Sequence, residues 1–186
     1  PCVRADRRPP VIAKVIARES VDTVVHMSVS AAPGRSGGRN AMKELNVIGT
    51  MQLLAACQNS RTVERLVVQS STAVYGTSAR NPAMFTEQMG ARSGVAVGFP
   101  KDALDVEAYV RGFGRRRPDV AVSTFRLGNV LAADVLSPFG EYLKLPVLPA
   151  ILGYDPRLQF LHPYDALNVL ALAATGEVTG TYNVIG

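Results

Sequence analysis

The chain has 186 residues, 47% of them hydrophobic and 19% charged, with a formal net charge of +5. That balance excludes a disordered chain and leaves room for one well-filled core, residues 1–186 forming a single domain rather than two. No apolar run approaches a membrane span, so no membrane partner is expected. Cys2 and Cys57 are the only cysteines. Two thiols argue against a disulfide framework or a cysteine-based metal site and fit a reducing, cytoplasmic setting. The densest basic run, Arg115-Arg116-Arg117 before Pro118, reads as a solvated helix end that complements the macrodipole. A basic stripe interleaved with aromatics is absent, so no nucleic acid is expected.

In chain order, Val3 to Asp6 has the look of a strand ending in an acid. Apolar residues at helical spacing (Val11, Ile12, Val15, Ile16) predict a helix over Pro10–Arg18. Thr23–Met27 is short and β-branched, a second strand, and it runs into the Gly-rich stretch 28–38. His26 at its end reads as a satisfied core histidine. The spacing of Met42, Leu45, Ile48, Met51 and Leu54 predicts a long helix over Asn40–Gln58. That helix contains Gly49, which costs about 1 kcal/mol against Ala and implies a close approach. Leu66–Gln69 is the central strand.

A loop follows from Thr77 to Phe99. Pro100, Asp102 and Asp105 suit the first turn of a helix running to Gly112. Val120–Arg126 is another strand, and a short helix is expected near Phe139–Leu143. Leu158–Leu161 predicts a strand, Asp165–Thr175 an apolar helix and Thr181–Ile185 a last strand. Strands alternating with helices predict an α/β fold with a doubly wound parallel sheet of Rossmann type, its crossovers right-handed.

The chemistry gathers at Arg65–Gly76. An apolar run of the kind a parallel strand buries on both faces ends in Ser70, Ser71 and Thr72, and Tyr75-Gly76 then turns the chain. In open α/β sheets ligands lie beyond the carboxyl ends of the strands, where such hydroxyls can donate to a substrate oxygen. A helix cap or turn would use the same residues.

In order along the chain, Arg4-Ala5-Asp6-Arg7, Asp22–His26, Asn46–Thr50, Ser70–Gly76, Lys101, Arg126–Asn129, Leu161–Asp165 and Gly180–Val184 together resemble the NAD-dependent epimerase/dehydratase family. These are extended short-chain dehydrogenases typified by UDP-galactose 4-epimerase. The resemblance implies NAD or NADP as cofactor, a nucleotide-sugar substrate and a possible homodimer through the two long helices. It implies cofactor contacts from Asp6 and Arg7 near the adenine, from Met27, Ser28 and Val29, and from Asn46, Ser70 and Lys101. It gives Ser71 and Lys101 catalytic roles, with Ser71 and Asn129 touching substrate.

Three departures stand against those matches. The family's catalytic tyrosine lies four residues before the lysine, on one helix face; here that position is Val97, which has no ionisable group. No Gly-rich pyrophosphate loop occurs, since Gly34–Gly38 follows the wrong strand. Leu158 stands where the family often has a phosphate-binding arginine, with Arg157 beside it. The chain is expected to start at the family's third strand and to stop before most of the substrate lobe, as a fragment would. Val3–Ala5 is then expected to pair directly with Thr23–Met27. The reading that results is an epimerase/dehydratase-like protein inactive in this form. A non-catalytic ligand-binding or scaffold relative is the alternative.

Overall fold

Four short runs rich in β-branched and aromatic residues build the main sheet. The computed structural model describes residues 9–27, 29, 31, 38–78, 81–89, 97–132, 137–149, 152–153 and 158–186. In it Thr23–His26 (β1), Arg65–Ser71 (β2), Ala121–Leu127 (β3) and Gly180–Val184 (β6) pair in parallel in the order β1-β2-β3-β6. Asn129–Val130 (β4) and Phe160–Leu161 (β5) form a separate parallel pair. The expected strand at Val3–Asp6, and its pairing with β1, lie outside the described residues. Among those residues β1 has β2 as its one strand neighbour.

The helices are Pro9–Arg18 (α1), Gly38–Lys43 (α2), Gly49–Gln58 (α3), Gly98–Arg116 (α4), Pro138–Leu143 (α5) and Pro163–Thr175 (α6). Leu66, Val67 and Val68 are all fully buried because helices cover both faces of β2. Leu66 and Val68 meet Ile16, Leu54, Cys57, Val106, Val110 and Phe113 from α1, α3 and α4. Val67 turns the other way, onto Phe125, Leu127, Ala166, Leu170 and Ala173, the last three from α6. Each such side chain contributes about 1.5–3 kcal/mol when fully buried. The architecture is the expected doubly wound Rossmann-type sheet.

The long helix expected over Asn40–Gln58 is present but not uniform. Between α2 and α3 the chain passes through a π-helical turn, Glu44–Ile48, with Lys43 and Ile48 both in right-handed helical geometry. The Thr50 hydroxyl donates back to the Asn46 carbonyl at 2.5 Å. Such i−4 back-bonding loosens the main-chain ladder where the extra residue is accommodated.

Two expectations are corrected by packing. A Cβ built on Gly49 would meet only the Glu44 carbonyl oxygen, at an ordinary 3.8 Å, so no partner approaches there. The second concerns the basic run, which does not simply face solvent. The Arg117 guanidinium donates to the carbonyls of Cys57, Gln58, Ser60 and Val63, closing the carboxyl end of α3, and it pairs with Asp119. That pairing holds the Asp119 carboxyl below its usual range. A cation on unsatisfied helix carbonyls is favourable, and here it serves a helix other than its own.

Because Gly49 has helical φ and open space beside it, Gly49→Ala is expected to raise stability by about 0.5–1 kcal/mol in a urea melt.

Candidate functional site

The strands β2, β3 and β6 end in a polar row. Register sets Ser70 beside Arg126 and Arg126 beside Asn183, one residue before the carboxyl ends of β2, β3 and β6. All three lie on the sheet face that α4 covers, since alternate strand residues share a face. From α4, Glu107 reaches down to this row. Its Oε1 accepts from the Ser70 hydroxyl at 2.7 Å and from Arg126 Nε at 2.9 Å, and its Oε2 accepts from Arg126 Nη2 at 2.8 Å. Glu107 is 3% exposed and Arg126 4%. Burying two charges costs several kcal/mol per ion unless every polar atom is answered, and the fork-to-fork geometry answers most of them. Arg126 Nη1 donates to the Tyr75 hydroxyl at 2.7 Å, and its guanidinium carbon sits 5.0 Å from the Tyr75 ring centroid.

A second polar cluster lies nearer β1. Arg39 from α2 makes a two-pronged pair with Asp102 of α4, 2.5 and 2.6 Å, and also donates to the Gly98 carbonyl. Gly98 opens α4 with φ +82°, a conformation that favours glycine. Asn46 Nδ2 donates to Asp102 at 3.3 Å, and the Thr50 hydroxyl stands 2.7 Å from His26 Nε2. Thr50 has one proton, and it goes to the Asn46 carbonyl. His26 Nε2 therefore carries a proton and donates to Thr50. Asp102, expected in the first turn of a helix, lies there and is buried, with Arg39 and Asn46 satisfying it.

The residues singled out in the sequence fall into three groups. Ser70 and Asn46, assigned to the cofactor, are buried with their side chains turned onto Glu107 and Asp102 of α4. A buried hydroxyl or amide must be paired, and α4 supplies the partners. Ser71, Lys101, Met27 and Asn129 are accessible. Ser71 Oγ caps the 3-10 turn Thr72–Tyr75, accepting from Ala73 N at 3.2 Å, and its own proton has no acceptor among the described residues. Lys101 pairs with Asp105 one helical turn on. Val97, just before α4, is 80% exposed. Val29 is buried in the core, Leu158 is exposed, and Asn129 Nδ2 donates to the Gln159 carbonyl. Asp6, Arg7 and Ser28 lie outside the described residues.

Ser71 and Lys101 lie on neighbouring pieces: Val74 and Tyr75 of the 3-10 turn pack on Ala103 of α4. Both pieces sit at the carboxyl end of β2.

Glu107 was not singled out by the sequence, and Arg126 entered only as one end of the Arg126–Asn129 match, with no role; Arg39 and Glu87 were not singled out either. A signal existed for the first two: Glu107 interrupts the apolar stripe Ala103, Val106, Val110, Phe113, and Arg126 interrupts a strand between Phe125 and Leu127. A charge on each of two core faces is what a buried pair looks like in sequence. Among the described residues no group of histidines, cysteines or acids could hold a metal ion, and no helix is long and apolar enough to cross a membrane.

Residues 3–142 match the NAD dependent epimerase/dehydratase family, and the chain belongs to that family. Uncharacterized proteins of Mycobacterium tuberculosis and Mycobacterium bovis are each 50% identical over 182 residues, covering 98% of this chain and 48% of theirs. The chain thus spans about half the length of these curated relatives. Among solved structures, dTDP-glucose 4,6-dehydratase from Bacillus anthracis in complex with NAD superposes with a TM-score of 0.76 at 17% identity, over 97% of this chain and 56% of that one. UDP-glucose 4-epimerase from Brucella ovis in complex with NAD gives 0.74 at 21%, over 98% and 62%. UDP-N-acetylglucosamine 4-epimerase from Bacillus cereus gives 0.71 at 17%, over 99% and 63%. At these identities the likeness is one of fold.

Removing one member of the Glu107–Arg126 pair leaves a buried charge unanswered. Arg126→Met alone is expected to cost about 3–5 kcal/mol. The double variant Glu107→Leu with Arg126→Met should lose less than that. Urea melts of the three proteins check the ordering.

Proposed function

We propose that this chain is an NAD(P)-dependent nucleotide-sugar epimerase/dehydratase-like domain, residues 1–186, that does not turn substrate over in this form. The observation that carries the reading is at Val97. The residue four before Lys101 has no proton to exchange and stands largely in solvent, while the Lys101 ammonium is paired with Asp105. General acid–base catalysis at that point, worth typically about 10²–10⁴-fold, has no carrier there. Tyr75 is no substitute. Its hydroxyl accepts from Arg126 and has Asn183 Oδ1 and the Thr86 carbonyl as acceptors, all within a buried network.

The family's cofactor is NAD by name. The described side chains assigned to it do not by themselves form a cradle: Asn46 and Ser70 face α4, and Lys101 shares its charge with Asp105. Any hold on a dinucleotide then rests on Asp6, Arg7, the backbone at Met27–Val29 and the Lys101 ammonium. Ser71 has the geometry to touch a ligand oxygen, its lone pair engaged by Ala73 N and its proton free to be donated. Asn129 would meet the nucleotide-sugar beside it. A cytoplasmic setting fits the cysteine usage. Self-association, if it follows the resemblance, would use the helix surface around Ile48, Met51 and Tyr109, which are exposed on α3, the π turn before it and α4. A non-catalytic ligand-binding or scaffold protein is the companion reading, and the same loss of the tyrosine favours it.

Two measurements test this. UDP-sugar interconversion with added NAD should give no detectable turnover, and rates of about 1–10³ per second would overturn the reading. Val97→Tyr alone should not restore activity, because the position is exposed and Lys101 is already paired. A crystal structure should place Ser71 and Lys101 together at the carboxyl end of β2; finding them on opposite edges of the sheet would refute the site. Calorimetric titration with NAD separates a cofactor-binding relative from a scaffold.

A further inference from the structure

The loop after the 3-10 turn returns to the sheet and lies against the ends of β3 and β6. Within it, residues 81–89 are held there at Phe85, Thr86 and Glu87. Phe85 stacks on the Tyr75 ring, centroids 4.4 Å apart and planes 19° from parallel. The Thr86 carbonyl accepts from the Tyr75 hydroxyl at 3.2 Å, and the Glu87 carbonyl from Arg126 Nη1 at 3.4 Å. The Phe85 carbonyl accepts from Asn183 Nδ2 at 3.4 Å. Glu87 Oε1 accepts the Asn183 main-chain N–H at 3.0 Å, a donor on the terminal strand of the sheet. An edge donor of that kind otherwise stays open to pairing with another strand.

The bond lengths fall into two classes. Those within the anchor are short: Arg126 to Tyr75 at 2.7 Å, Tyr75 to Asn183 Oδ1 at 2.8 Å, and Arg126 to Glu107 at 2.8 and 2.9 Å. Those from the anchor to residues 85–87 run from 3.0 to 3.4 Å. Three of those four are longer than the ordinary range for their donors, so the loop is held less tightly than the anchor. Tyr75 has one proton and two acceptors, Asn183 Oδ1 and the Thr86 carbonyl. Turning that proton toward Asn183 removes one tether from the loop without breaking the anchor.

We propose that residues 85–87 form a strap that closes on the carboxyl ends of β3 and β6, with the Tyr75 hydroxyl as its catch. The strap covers one side of the crevice beyond the strand ends and opens while the Glu107–Arg126 core stays intact. This goes beyond the family reading and holds whether or not the chain binds a dinucleotide.

Glu87 reports the state of the strap. The Asn183 N–H bonded to its carboxylate, with Arg126 nearby, holds its carboxyl below the usual range. The ionisable groups facing it are Arg126 and Tyr75, with Glu107 behind Arg126. A depressed carboxyl stabilises the closed form above the ordinary glutamate value, and that contribution is lost as pH falls through the lower, folded value. In an NMR titration the Asn183 amide proton should therefore follow Glu87 with a midpoint below the ordinary value of about 4.3.

Tyr75→Phe keeps the ring stack and removes the catch. It should move the midpoint up toward the ordinary value and raise amide exchange at Met89 and Asn183 roughly five- to tenfold over core amides such as Val67. Met89 is included because its N–H is bonded to the Thr86 carbonyl. An unchanged midpoint and unchanged exchange would overturn the proposal. Because the Tyr75 hydroxyl also accepts from Arg126, exchange is read relative to Val67 in the same variant, and a rise at Met89 and Asn183 no larger than at Val67 would also overturn it. Glu87→Gln tests the strap without touching the core: it should abolish the Asn183 titration and speed Met89 exchange, and a Met89 amide as slow as in the parent chain would refute the strap.

Discussion

A carboxylate and a guanidinium sit together under the middle of α4, nearly out of contact with water, and the surrounding structure follows from the need to satisfy them. Glu107 and Arg126 are tolerable only because their atoms find partners: each other, the Ser70 hydroxyl and the Tyr75 hydroxyl. Those partners belong to β2 and to the turn after it, while Arg126 itself lies on β3. One ion pair thereby ties a helix, two strand ends and a tight turn into a single geometry. Loss of any partner is felt by the others, because a buried polar network is worth more complete than in parts.

The same helix carries a second acid toward its start. Asp102 is matched by Arg39 and Asn46, about a turn and a half before Glu107. Between them these two acids set how α4 lies on the sheet and where it begins, and so fix the neighbourhood of Lys101 and Ser71. These pairings carry the support of α4, and position 97, just before that helix, is an exposed valine that takes no part in them. Support and surface chemistry therefore rest on different residues.

Most of the fold was legible in the sequence because parallel strands buried on both faces leave short β-branched runs, and the helices between them keep a periodic apolar stripe. Element ends shifted by a residue or two, as at α1 and β5, and by four at the end of α4, which was expected at Gly112 and runs to Arg116. The π turn was not legible: its residues have ordinary helical spacing, and the hydroxyl that reaches back one turn beside it leaves no mark in that spacing. Gly49 misled, since a glycine in a helix can mark close packing or nothing. At the site, the Ser70-Ser71-Thr72 stretch lies at the carboxyl end of β2 and Lys101 in the first turn of α4. The environments of Asn46, Ser70 and Asp102 were not readable, because whether a polar residue faces a crevice or a partner depends on elements far away in sequence. Arg117 was read as a surface charge for the same reason; its partners are the carbonyls of a helix some sixty residues earlier.

That arginine has a chemical consequence for the residue it covers. The end of α3 places Cys57 wholly inside the core, and burial pushes its thiol up to about 11, against the smaller opposing pull of the Arg117 charge. At neutral pH about one molecule in ten thousand then carries the reactive thiolate. While the fold is closed, Cys57 is silent toward oxidants and alkylating reagents, although it lies one residue from a helix end. The thiol becomes available when the core packed around it opens. Cys57 is therefore a built-in timer for the opening of this half of the molecule, read by nothing more than the rate at which a thiol reagent finds it.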